Sequence, residues 1–172
     1  VADWFAAHGV TAFVLKYRLI SSGYHHPAQL QDGERAVRWV RAHARDYNID
    51  PERMGMIGCA AGGHLTTMVA TQSDAGDSGA SDPIDCVSSR LNFMVLCYPG
   101  VLRSAGLTAA LLGPAPDPAT ADFVFTERYL TPDTPPTFIY HTADDEVVSV
   151  DRVREFHHAL QAAGVPAELH VF

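Results

Sequence analysis

The sequence predicts an α/β fold built on a mostly parallel, doubly wound sheet with helices on both faces. Apolar, β-rich runs alternate with segments whose apolar residues recur at helical spacing, in the order β-α-β-α-β-loop-β-α-β. The length of 172 residues suits one domain, and no internal repeat interrupts the pattern. In sheets of this kind the functional site lies at the carboxyl ends of the strands.

Composition and charge exclude several classes of protein. The residues are 47% hydrophobic and 19% charged, which is ordinary for a globular domain and excludes disorder, collagen and coiled coil. Twelve Lys and Arg against twenty Asp and Glu give a net charge of −8, which argues against a nucleic-acid partner or an anionic membrane surface. No apolar run approaches the roughly 18 residues that a membrane-spanning helix needs.

The first half of the chain contains four predicted regular elements after an initial helix over residues 1–8, which Gly9 ends. A β-rich run predicts the first strand, and Pro27 suits the start of the helix that follows the polar turn. A short apolar strand then leads into a helix that begins at a pair of glycines. These elements span 11–19 (strand), 27 to about 47 (helix), 54–59 (strand) and 62 to about 71 (helix).

The second half begins with a polar loop over 73–90 and a buried strand over 91–98. Residues 99–136 hold seven of the eleven prolines and predict a long irregular segment, similar to a lid or insertion. A strand over 137–141, a helix marked by apolar residues 153–163 and a last strand over 167–172 complete the single domain.

Three cysteines, Cys59, Cys86 and Cys97, cannot all pair within one chain. Cys59 and Cys97 lie in or beside apolar strands, so we expect buried free thiols. Free thiols favour a reducing compartment such as the cytoplasm.

The turn at residues 58–64, GlyCysAlaAlaGlyGlyHis, has the Gly-x-?-x-Gly frame of a nucleophile elbow between a strand and a helix. We expect side chains at Gly58 and Gly62 to collide with the neighbouring strand and helix. The central position, which is Ser in an active hydrolase, is Ala60 and has no nucleophilic atom. The backbone N–H of Ala61 remains able to donate to an oxyanion.

Together with the elbow, several segments resemble the α/β-hydrolases, in the acetylesterase and feruloyl-esterase-like branch near the xylan esterases. The resemblance follows nearly the whole chain in order. The matching segments are 17–19, 27–41, 48–55, 62–65, 82–90, 131–138, 143–148 and 163–172.

The resemblance implies a site in which Ala60 occupies the nucleophile position and Asp145 is the triad acid. Asp145 begins an Asp-x-x-Val pattern in which Ser149 replaces the family's proline. The adjacent Asp144 is the carboxylate that could be confused with this acid. The family's triad His would follow Phe172, and its Gly-rich oxyanion loop would precede residue 1. By this comparison we expect an α/β-hydrolase domain that is incomplete at both ends.

Other residues near these positions have simpler interpretations. We expect Cys59 to point back into the sheet rather than replace the nucleophile, His64 to order the elbow turn, and His170 to be a structural strand residue. Asp145 could instead cap the following helix. Tyr98, at a strand end beside the elbow strand, is a candidate for lining the substrate pocket.

Three functions remain in competition. The leading one is a serine-type carboxylic-ester hydrolase for short acyl or acetyl esters, bound as small molecules or on plant-wall carbohydrate, that Ala60 leaves inactive. The second is a non-catalytic pseudo-hydrolase that binds such an ester or carbohydrate. The third, a dinucleotide-binding module, lacks both the Gly-x-Gly-x-x-Gly spacing and the following acid. Adjacent histidines have the wrong spacing for a helical metal site, so neither a metal nor another cofactor is expected.

Overall fold

The structure is a computed structural model that describes residues 1–101, 105–113, 116 and 118–172. Its helices are α1 (Ala2–Ala7), α2 (Ala28–Ala42), α3 (Ala61–Gln72), α4 (Ala105–Leu112), α5 (Pro118–Phe123) and α6 (Val150–Ala162). Its strands are β1 (Gly55–Cys59), β2 (Phe93–Cys97), β3 (Thr137–His141) and β4 (Ala167–Val171). Short 3-10 turns lie at Ile20–Ser22 and Thr126–Tyr129.

The four strands form one parallel sheet in the order β1-β2-β3-β4. Cys59 pairs with Cys97, Cys97 with Tyr140 and Tyr140 with His170, so one row crosses the sheet near the carboxyl ends of its strands. The segments that follow β1, β2 and β3 therefore emerge along the same edge. This edge is where the sequence predicts the site, and the parallel α/β architecture is confirmed.

Helices α2, α3 and α6 pack on one face of the sheet, and α1 contributes no buried residue. Strand residues of that face, such as Met94, Leu96 and Ile139, are fully buried in one apolar cluster with residues of α2, α3 and α6. Side chains that alternate with them, including Ile57 and Phe138, are exposed. The period of two along each strand thus separates a covered face from an open face.

The strand predicted for residues 11–19 is wrong. Among the described residues this segment has no strand partner, and β1 forms the edge of the sheet. The segment is fastened instead by Arg18, whose backbone N–H and guanidinium both donate to the Asp32 carboxylate of α2, at 2.7 and 2.8 Å. β propensity describes how well side chains fit a pleated surface, so a β-rich segment forms a strand only where a neighbouring strand can pair with it.

The remaining elements lie close to their predicted positions. Gly9 and Gly164, which follow α1 and α6, adopt φ of 76° and 82°, as expected for helix ends. Helix α2 ends at Ala42, five residues before the predicted end at 47, because the chain turns there with an Ala44 N–H to Arg41 C=O bond. The segment predicted to be irregular, 99–136, contains α4, α5 and a 3-10 turn. Its residues 102–104, 114–115 and 117 lie outside the described residues.

None of the helices in the described ranges is both long enough and apolar enough to cross a bilayer.

Candidate active site

The backbone at Ala60 makes an unusual turn between β1 and α3. Its φ of 49° and ψ of −117° lie in a region that residues other than glycine rarely adopt. Three hydrogen bonds hold it: the Ala60 N–H donates to Cys97 C=O (3.1 Å), and Ala60 C=O accepts from His64 N–H (3.2 Å) and Gly100 N–H (3.0 Å). The methyl group of Ala60 is held at an exposed position on this strained turn.

Close backbone packing explains part of the glycine pattern. A Cβ on Gly58 would overlap the Gly62 carbonyl group and lie 2.6 Å from the Gly63 nitrogen. A Cβ on Gly63 would lie 2.8 Å from the Pro99 Cβ. The steric role predicted for Gly62 is wrong, because a Cβ there would meet no atom within 4 Å. The tight approach falls on Gly63, which the Gly-x-?-x-Gly frame does not include.

The N-terminus of α3 presents backbone donors beside this turn. His64 N–H makes the first bond of the helical ladder, to Ala60 C=O, so the N–H groups of Ala61, Gly62 and Gly63 precede the ladder. The helix dipole adds positive potential at the same end. The geometry is that of an anion-binding turn, and the oxyanion role of Ala61 remains a prediction.

Asp145 is held in a defined orientation on the loop after β3. Its Oδ1 accepts the N–H groups of Val147 and Val148, both at 2.8 Å, and its Oδ2 lies 3.7 Å from His141 Nε2. The two backbone donors, joined by the nearby His141, hold the pKa of the Asp145 carboxyl below its ordinary value. Asp144 is exposed and Asp145 half-buried, and the role of Asp145 as triad acid remains a prediction.

His141, which the sequence analysis did not single out, supports this loop. It is fully buried at the end of β3, and its Nε2 donates to Val148 C=O at 2.7 Å. Its Nδ1 is buried and has no hydrogen-bond partner among the described residues. The available signal was a histidine that ends an apolar strand four residues before the candidate acid.

The sheet brings Ala60 and Asp145 to the same edge. β1 and β3 flank β2, and strands in a sheet lie about 4.8 Å apart, so the two strand ends are separated by roughly 10 Å. A third side chain fits between a nucleophile and an acid at such a separation, as the imidazole does in a Ser-His-Asp triad.

Tyr98 lies at the same edge but away from the cavity beside the elbow. A cavity of about 240 Å³ is bounded by Ala61 and His64 of α3, by Gln29 of α2 and by mainly apolar side chains that do not include Tyr98. The Tyr98 ring instead meets the Tyr140 ring edge-on, at 5.9 Å between centroids. A pocket-lining role for Tyr98 therefore stays a prediction.

The structure separates the other candidates. Cys97 is buried as expected, whereas the buried thiol expected at Cys59 is wrong, because Cys59 lies on the edge strand β1 and is exposed. The His64 imidazole bonds Val124 C=O at 2.8 Å, so only the backbone N–H of His64 bonds the elbow turn, at Ala60 C=O. His170 lies in β4 as expected. The described ranges contain no group of three or more His, Cys, Asp or Glu that could hold a metal ion.

Comparison with known proteins agrees with this architecture. A family model described as BD-FAE matches residues 1–97. Among solved structures, the acetyl ester-xyloside bifunctional hydrolase of Caldicellulosiruptor lactoaceticus is 43% identical with a TM-score of 0.92. The match covers 99% of this chain and 64% of that one. An esterase of Thermogutta terrifontis, Est2, is 27% identical with a TM-score of 0.80, over 99% and 62% of the two chains.

Curated relatives of this chain are also named as enzymes that act on xylan or on its esters. Endo-1,4-beta-xylanase B of Butyrivibrio fibrisolvens is 32% identical over 174 residues, which cover 98% of this chain and 27% of the relative. The acetylxylan esterase of Xylanibacter ruminicola is 28% identical over 187 residues, which cover 99% of this chain and 35% of the relative. The chain thus spans about a third or less of these curated relatives.

Proposed function

The chain belongs to the BD-FAE family and has an α/β-hydrolase fold, and we propose that it forms the central part of a carboxylic-ester hydrolase. The observation that carries this proposal is the strained turn at Ala60, which joins β1 to α3 beside free helix N-terminal donors. This is the backbone of a nucleophile elbow. Asp145 follows β3 at the same edge, which supports its role as triad acid.

In the catalytically competent form of this site, a serine at position 60 attacks the ester carbonyl while a histidine takes its proton. The N–H of Ala61 stabilises the tetrahedral oxyanion together with donors from elsewhere in the longer protein. Asp145 Oδ2 holds the imidazole in the productive tautomer, since Oδ1 is already committed to Val147 and Val148. Water then hydrolyses the acyl-enzyme.

The histidine is proposed to come from the longer protein. Phe172 N–H donates to His141 C=O (3.0 Å) and Phe172 C=O accepts from Ala143 N–H (2.7 Å). A chain that continues past Phe172 would therefore run beside the loop that holds Asp145. This arrangement supports delivery of the imidazole to Asp145 Oδ2.

The proposed substrates are short acyl or acetyl esters, as small molecules or on plant-wall carbohydrate. The relatives named as an acetylxylan esterase and an acetyl ester-xyloside hydrolase support this class. With Ala60 in place, the protein should be inactive, because removing the nucleophile of a formed triad lowers kcat by about 10⁶.

Hydrolysis of p-nitrophenyl acetate tests the proposal in two proteins. Ala60→Ser in the 172-residue chain should remain inactive, because the proposed base belongs to the longer protein. Ala60→Ser in the longer protein should turn over the ester, and its unsubstituted form should not. A longer Ala60→Ser protein that ignores every short acyl ester would refute the assignment.

Ala60 itself favours a second candidate, a pseudo-hydrolase that binds an ester or carbohydrate without cleaving it. Calorimetric titration of the longer, unsubstituted protein with acetylated xylo-oligosaccharides distinguishes the two. Saturable binding without release of acetate supports the binding role, whereas absence of binding removes it.

A further inference from the structure

Cys59 and Cys97 lie side by side on adjacent strands, and Cys59 immediately precedes Ala60 of the elbow. They are register partners in the parallel pair of β1 and β2, so their side chains project from the same face of the sheet. Neighbouring strands lie about 4.8 Å apart. That separation falls within the range of about 4.4–6.8 Å that disulfides require between Cα atoms. Both thiols are free.

The two thiols belong to a row of polar groups on the open face. Tyr140 and His170 continue the register row on β3 and β4, and the Tyr98 ring meets the Tyr140 ring edge-on. Burial is the main cause that raises the pKa of the Cys97 thiol to about 11; the Tyr140 hydroxyl opposes this rise and the Cys59 thiol adds to it. Each thiol therefore lies within the other's electrostatic reach.

Cys86 is separate from this pair. It lies in the loop between α3 and β2, where its thiol donates to Ala80 C=O at 3.6 Å. It provides an internal control within the same chain.

We propose that Cys59 and Cys97 form a thiol-modification site that low-molecular-weight disulfides, such as glutathione disulfide, oxidise to an intramolecular bridge. The Cys59 thiolate attacks one sulfur of the reagent, forms a mixed disulfide and releases one thiolate. The Cys97 thiolate then attacks the Cys59 sulfur and releases the second. The two cysteine protons end on the two released thiols, so two cysteines lose two electrons and one disulfide gains them.

The order of attack follows from exposure. Cys59 is exposed and meets the reagent first, whereas buried Cys97 reaches only the sulfur of its neighbour. The bridge would join the two strands that hold the elbow, since Ala60 follows Cys59 and donates its N–H to Cys97 C=O. This site does not depend on the proposed esterase activity.

The experiment treats the reduced 172-residue chain with glutathione disulfide, quenches it in acid and measures the intact mass and the peptide map. The parent chain should lose two hydrogen atoms, link the Cys59 and Cys97 peptides, and keep Cys86 reactive towards maleimide. Cys86→Ser should behave as the parent does. Cys59→Ser should form no bridge, and Cys97→Ser should stop at one glutathione on Cys59.

The second step supplies a further measurement that does not depend on a cysteine variant folding. Because burial raises the pKa of the Cys97 thiol, its thiolate fraction and hence the closure rate should rise with pH above ~7, by up to about tenfold per pH unit while the pH stays below that pKa. Tyr140→Phe removes the hydroxyl that lowers this pKa, so closure should slow at a given pH. A parent chain that stops at the mixed disulfide, a bridge that includes Cys86, or a closure rate independent of pH would overturn the proposal.

Discussion

Gly58 lies against the carbonyl group of Gly62, so closely that the turn between β1 and α3 leaves no room for a side chain at position 58. Gly58→Ala should therefore lower the free energy of unfolding by about 1–3 kcal/mol, as overpacking does elsewhere. Gly62→Ala is the matched control: its methyl group meets no atom within 4 Å. As a helical substitution, it should be neutral or stabilising by about 0.5–1 kcal/mol.

Urea denaturation of both variants checks this asymmetry. Equal destabilisation by the two substitutions would show that the elbow is not packed as described.

The elbow shows how much of the candidate site can be predicted from the sequence. Its position followed from an apolar strand, a glycine frame and a helical pattern, all of which are local. Which of Gly58, Gly62 and Gly63 has no room for a side chain was not predictable from the sequence. The atom that a Cβ on Gly63 would meet belongs to Pro99, thirty-six residues along the chain. This contact exists only because the segment that follows β2 approaches Gly63 in the folded chain.

Burial was less predictable than element type for the same reason. Cys59 and Cys97 occupy similar apolar contexts in the sequence, yet one is exposed and the other buried. Both side chains project from the same face of the sheet, so the difference depends on the neighbouring strands: β1 is an edge strand, whereas β2 lies between β1 and β3. The wrong prediction of a strand at 11–19 has the same cause, because strand pairing depends on a neighbouring strand that local propensity does not specify.

Asp145 should support its loop in a way that Asp144 does not. Asp145→Ala removes the acceptor of two backbone N–H groups, which should lower the free energy of unfolding. Asp144→Ala, at an exposed position, should change it by less than about 0.5 kcal/mol. Thermal unfolding of the two variants at neutral pH is the measurement, and equal effects would contradict the assigned geometry.

The same pair of residues should differ in catalysis. In the longer protein carrying Ala60→Ser, Asp145→Asn should reduce kcat by about 10⁴, as loss of the tautomer-fixing carboxylate does in a triad. Asp144→Asn should leave kcat within a few-fold of the parent. Indifference to Asp145→Asn would remove this residue from the proposed triad.

The pH dependence of stability should reflect His64. Burial lowers the pKa of its imidazole, partly opposed by the hydrogen bond to Val124. At a pH below about 6.5, the ordinary pKa of histidine, the imidazole of His64 is protonated in the unfolded chain but remains neutral in the folded chain. The free energy of unfolding should therefore fall as the pH decreases from about 7 to 5. His26, whose pKa burial also lowers, should contribute a fall in the same direction.

Unfolding midpoints across this range test the origin of the fall. His64→Gln retains a donor for Val124 C=O but does not titrate, and it should make the pH dependence shallower. His170→Gln, on the exposed end of β4, is the matched His-to-Gln control. A profile that His64→Gln does not alter would contradict the burial-based explanation.

Labelling with a fluorophosphonate tests most directly whether position 60 is the nucleophile position. The longer protein carrying Ala60→Ser should take up one phosphonyl group, and peptide mapping should place it on residue 60. The unsubstituted longer protein, with only a methyl group at the exposed elbow, should remain unlabelled under the same conditions. An adduct at another residue of the substituted protein, or equal labelling of the unsubstituted one, would contradict the account.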